Sequence, residues 1–152
     1  MKLLAAIDFS ELTEPVLRET ERLARGLSAE AVLLHVRPPV SSAFDLYPET
    51  ELIPLPAGGE ALPDGTDGSG KDRIEAMAEA LRQSGIRATA LGVDGDEVER
   101  IVGEAQRIGA GMIIVGSHGH GALFHLLVGS VSEGVVRKAT CPVLIVPRQT
   151  PG

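Results

Sequence analysis

The chain predicts an α/β fold with a mostly parallel sheet, and three observations carry that reading. Short apolar runs of strand length alternate with stretches of helical apolar spacing along its whole length. Most of those runs are continuous instead of alternating apolar with polar, as strands covered by helices on both faces are. The apolar residues 112–115 then break off in glycines, where such sheets bind ligands beyond the carboxyl end of a strand.

Residues 3–7 read as a buried strand ending at Asp8. Ser10 is the candidate N-cap of the helix that follows, in which Val16, Thr20, Leu23, Ala24 and Leu27 share helical spacing. Pro15 fits that helix only within about its first turn, and Gly26 sits near its end. Residues 31–36 form a second strand. Residues 37–70 hold Pro38, Pro39, Pro48, Pro54, Pro56 and Pro63, and no regular period survives them. A functional lid and a tolerated insertion both fit such a loop.

Order resumes at Lys71, with Ile74, Met77, Ala78 and Leu81 on one helical face and Gly85 as the stop. Residues 86–93 alternate, as a less buried third strand does. Gly95, Asp96 and Glu97 open a helix that turns Val98, Ile101, Val102, Ala105 and Ile108 inward. The strand at 112–115 follows, then the glycines, then a helix over about 130–138. Pro142 and Pro147 flank the last apolar run and predict an edge strand, because proline cannot donate to a central ladder. Gly134, inside the last helix, costs about 1 kcal/mol against alanine with no linear reason for it.

The totals narrow the function. A length of 152 residues suits one domain, placed at 1–148 with a tail at 149–152. The core must be aliphatic, since only 3% of residues are aromatic. A net charge of -7 opposes generic nucleic-acid binding, so any polyanion must be held by backbone donors or a metal. One cysteine, Cys141, rules out an internal disulfide framework and a four-cysteine zinc site, and points to a reducing, cytoplasmic compartment. No run reaches transmembrane length, so the expectation is a soluble, unexported protein.

The glycines from Gly109 to Gly121, with Gly129-Ser130-Val131 ahead of a helix, read as an anion cradle of backbone N–H groups. Asp8, Val36 and Gly116 each end a strand and should converge on one crevice there. Three common phosphate motifs fail. The Walker pattern is absent, the first strand–helix turn holds no glycine, and kinase signatures are missing. What remains is Gly116, two residues, Gly119, nine residues, Gly129 and Ser130.

That spacing resembles the ATP-binding branch of the universal stress protein family. Asp8-Phe9-Ser10-Glu11, Leu34-His35-Val36 and the final Cys141-Pro142-Val143-Leu144-Ile145-Val146 resemble it too. The resemblance implies a three-layer sandwich, Rossmann-like and of the adenine nucleotide alpha hydrolase type, with five parallel strands in the order 3-2-1-4-5. It implies that Gly116, Gly119, Gly129 and Ser130 bind ribose and phosphates, with Ser117, His118, His120 and Gly121 lining the loop. Val131 and Ser132 would add donors at the helix start, and Asp8 with the backbone of Val36 would hold the adenosine. It further implies ATP, AMP or ADP with Mg²⁺ or Mn²⁺ bound through phosphates, a homodimer through Val143, Leu144, Ile145 and Val146, and a regulatory role in stress response.

The loop offers histidines but no lysine or arginine for the γ-phosphate, so binding with at most slow hydrolysis is expected and no catalytic residue is assigned. Two other functions fit the same fold: a protein-interaction scaffold without nucleotide, and an enzyme that adenylates or hydrolyses a substrate in the crevice. Plainer roles stand beside these. Asp8 can cap its own turn. His118, His120 and His125 read as solvated loop residues instead of zinc ligands, with no protein metal site expected. His35 is expected to pack with its ring hydrogen-bonded, and Cys141 to fill apolar space. Glu97, Glu99 and Arg100 read as a solvated helix face.

Overall fold

The computed structural model describes residues 1–38, 68–117 and 129–148. Among them are strands β1 (Lys2–Ala6), β2 (Glu30–Arg37), β3 (Ala88–Asp94), β4 (Met112–Gly116) and β5 (Val143–Val146). Helices α1 (Thr13–Leu27), α2 (Gly68–Gln83), α3 (Glu97–Ile108) and α4 (Ser130–Lys138) alternate with them. The strands form one parallel sheet in the order β3-β2-β1-β4-β5. The expected strand order is therefore the observed one.

Successive residues of each central strand feed two different cores. Leu3, Ala5, Ile7, Ala31, Leu33 and Ile114 pack with Val16 and Ala24 of α1 and with Ile74, Ala78 and Leu81 of α2. Leu4, Val32, Leu34, Val36, Ile113 and Val115 pack with Ile101, Val102 and Ala105 of α3 and with Val135 of α4. This double burial is why the strands read as unbroken apolar runs. β3 at the edge mixes buried and half-buried positions with exposed ones, the alternation broken where Ala90 and Leu91 are both half-buried.

The same partition locates the crevice. β1 sends its chain through α1 to β2 on one face, whereas β4 sends its chain through α4 to β5 on the other. Neighbouring strands whose connections leave in opposite directions open a cleft at their carboxyl ends.

Several boundaries differ from the expectation. Ser10 is not the N-cap of α1: that position is Leu12, which makes no side-chain cap bond. Ser10 instead forms the turn before the helix, its Oγ accepting from the Leu12 N–H at 3.2 Å and its carbonyl from the Thr13 N–H at 3.1 Å. Pro15 lies in the first turn, where its missing N–H has no helical acceptor to lose. The helix runs to Leu27, so Gly26 does sit near its end, and Ser28 closes it in a left-handed conformation at φ 50°. β2 runs on to Arg37 and α2 starts at Gly68, ahead of Lys71, so regular structure reaches into both ends of the proline-rich interval. Residues 39–67 lie outside the described residues. β3 begins at Ala88, later than residue 86.

Two helix ends follow local chemistry. Asp96 caps α3 by accepting the Glu99 N–H at 3.0 Å, and Gly109 closes it at φ 65°. Gly134 now has a reason: a Cβ there would stand 2.7 Å from Cγ2 of Val98, so α4 crosses α3 where only a bare backbone fits.

Candidate functional site

The crevice is built from the carboxyl ends of β1, β2 and β4 and the amino end of α4. Gly116 closes β4, and its carbonyl accepts the Ser132 hydroxyl at 2.6 Å. The Ser117 N–H donates to Val146 O at 2.9 Å, while the Ser117 carbonyl accepts the Gly129 N–H. These bonds tie the start of α4 to the end of β4. The segment between them, with His118, Gly119, His120, Gly121 and His125, lies outside the described residues.

This wiring decides which groups face a ligand. The amides of Ser117 and Gly129 are spent within the chain, and so is the Ser132 hydroxyl, which is buried. The main-chain N–H groups of Ser130, Val131 and Ser132 stand in the first turn of α4, where a helix supplies no acceptor. Such amides, together with the positive end of the helix dipole, are groups of the kind that favour an anion. Glu133 N–H donates to Gly129 O at 2.9 Å and begins the helical ladder.

The other wall is Asp8 and the end of β2. Asp8 is half-buried, and its Oδ1 accepts the Ser10 N–H at 2.9 Å. The local turn is therefore part of its role. Ile7 N–H donates to Leu34 O at 2.8 Å, whereas Arg37 O, one residue beyond Val36, accepts from Gly95 on the β3 side. By the alternation of a strand, Val36 turns its N–H and C=O toward the β1 side and the crevice. Arg148, after β5, pairs with Glu11 at 3.1 Å beside this opening.

Reading the residues alone missed one group. Phe9 is left-handed at φ 57°, its ring centroid lies 4.4 Å from that of His35, and the Arg73 guanidinium sits 4.1 Å above it. His35 does have its ring hydrogen-bonded, Nδ1 lying 2.8 Å from Ile7 O. Arg73 follows the long interval after β2, and nothing in its local sequence points to β1. Among the described residues, no three His, Cys, Asp or Glu side chains cluster so as to hold a metal ion.

The universal stress protein family profile matches residues 1–147. The chain belongs to the universal stress protein family. Universal stress protein YxiE of Bacillus subtilis is 31% identical over 147 residues, covering 95% of this chain and 97% of that protein. The solved structure of MJ0577, a universal stress protein of Methanocaldococcus jannaschii, superposes with a TM-score of 0.78 at 30% identity, covering 98% of this chain and 96% of that one. A universal stress protein from Archaeoglobus fulgidus, solved in complex with dAMP, shares the fold with a TM-score of 0.65 at 24% identity, over 96% and 97% of the two chains. No described helix of this universal stress protein is long and apolar enough to cross a membrane.

Proposed function

We propose that this universal stress protein binds ATP, or a related adenine nucleotide, in the crevice between β1 and β4. The observation that carries the reading is the first turn of α4, whose Ser130, Val131 and Ser132 amides are offered at the mouth of the glycine spacing Gly116–Gly119–Gly129. Phosphates would lie there. Asp8 and the backbone of Val36 would take the adenosine end, with Ser117, His118, His120 and Gly121 along the loop. That a protein of this fold holds dAMP accords with it.

A divalent cation, Mg²⁺ or Mn²⁺, would come in on the phosphates, because magnesium needs few protein carboxylates. It would also offset the repulsion from a net charge of -7. With no basic side chain in the glycine loop to neutralise a γ-phosphate, binding outlasts turnover. This is the chemistry of a regulatory, cytoplasmic sensor formed by one domain over residues 1–148.

Gly129→Val tests the site. The backbone there, at φ -72° and ψ 164°, admits valine, so the fold survives while the side chain fills space that phosphate needs. Calorimetric titration with ATP and Mg²⁺ should show affinity lower by at least about tenfold, roughly 1.4 kcal/mol. Unchanged affinity in a variant with native circular dichroism would overturn the placement.

A further inference from the structure

The geometry points to Arg73 as a positioning residue that acts on Asp8 through Phe9, a role that rests on the nucleotide reading above. Phe9 is the central residue of the turn in which Asp8 Oδ1 accepts the Ser10 N–H at 2.9 Å. Its φ of 57° therefore sets where that N–H stands relative to the carboxylate. A phenylalanine rarely adopts this conformation, because its Cβ crowds the backbone. Something outside the turn must hold it.

Two side chains do. His35 brackets Asp8 from both sides in sequence: its Nδ1 lies 2.8 Å from Ile7 O, and its ring packs against Phe9 at a centroid distance of 4.4 Å and a tilt of 42°. Arg73, from the second turn of α2, places its guanidinium carbon 4.1 Å from the Phe9 ring centre. Cation–ring attraction favours that ring position and so the left-handed turn beneath it. Arg73 is exposed, and among the described residues it forms no ion pair with a carboxylate that would draw it away from the ring. α2 is thereby fastened to the β1 end of the crevice, and the Asp8 carboxylate is fixed before a ligand arrives.

A double-mutant cycle on the full chain tests this, because glycine holds a positive φ without any clamp. In ligand-free protein, Arg73→Ala should speed hydrogen exchange of the Ser10 amide by about two- to fivefold and weaken ATP–Mg²⁺ binding by a similar factor. Arg73→Lys, which keeps the cation, should retain most of both. In the Phe9→Gly background, adding Arg73→Ala should change neither. An equal effect of Arg73→Ala in both backgrounds would mean that Arg73 touches the nucleotide directly, and would overturn the inference. So would Ser10 exchange indifferent to Arg73, or altered exchange with unaltered ATP affinity. If the unsubstituted protein takes no nucleotide, the proposed function fails and the ligand role of Arg73 with it.

Discussion

Ser132 shows how a fold can withdraw a side chain from ligand chemistry. Its hydroxyl is committed to Gly116 O, so in the proposed site it would offer a phosphate its main-chain N–H. The same holds more strongly for Gly129, whose own amide goes to Ser117 and which in the proposed site would serve a ligand by the room it leaves. Cys141 is a second case, at the amino end of the strands, away from the crevice. It borders a cavity of about 240 Å³ with Val102, Ala105, Ile113 and Ala139, and burial pushes its thiol pKa up. The folded chain therefore favours the neutral thiol. Its contribution to stability is complete below the ordinary thiol range and declines as pH rises through the raised value. At pH 8, iodoacetamide should label Cys141 several-fold more slowly in the native protein than in urea, since the thiolate is the nucleophile. Equal rates would show the thiol to be unshielded.

Helix α4 has to satisfy two demands at once. Its amino end must reach the crevice, and its face must lie close enough to α3 for Val135 to be fully buried. Gly134 is the concession to the second demand, with Val98 occupying the place of its missing Cβ. In an exposed helix Gly134→Ala would gain about 1 kcal/mol of propensity. Here a stiff β-branched neighbour cannot yield by changing its rotamer, so the helices must part. Gly134→Ala should therefore lower stability by about 1–3 kcal/mol in urea denaturation, as overpacking does. Val98→Ala added to it should recover most of the loss. A more stable single variant would refute the packing account. At this scale the sequence was open to reading for helix α3, where Asp96 and Gly109 are local signals of its two ends. It was misleading at Ser10, because a serine ahead of an apolar-periodic stretch can form a turn as readily as a cap.

For the whole molecule, the sheet leaves β5 as an edge of four residues, of which Val143, Leu144 and Ile145 are only partly covered. Pro142 O and Val146 O accept from β4, so the alternating residues 143 and 145 direct their N–H and C=O groups outward. An apolar edge of this kind is a pairing liability, and pairing with a second copy of the chain would resolve it. Ile145→Pro removes an outward donor while sparing the ladder to β4, since proline is tolerated where the N–H faces away from the sheet. Light scattering after gel filtration should show a dimer for the unsubstituted chain and a monomer of nearly unchanged melting temperature for the variant. A monomer in both would remove the interface from consideration.

The order of the elements, the parallel sheet and the edge position of its last strand were all legible along the linear chain. It also carried the glycine spacing on which the family resemblance rests. Those are properties of residues close together in the chain: apolar period, proline placement and glycine freedom act over a few positions and can be read there. Folding alone reveals that the amides of Ser117 and Gly129 are already taken, that Gly134 answers to Val98, and that Arg73 reaches Phe9 across the end of the sheet. Each of these is a contact between elements that the chain separates and the topology reunites, and no local pattern encodes a distance of that kind.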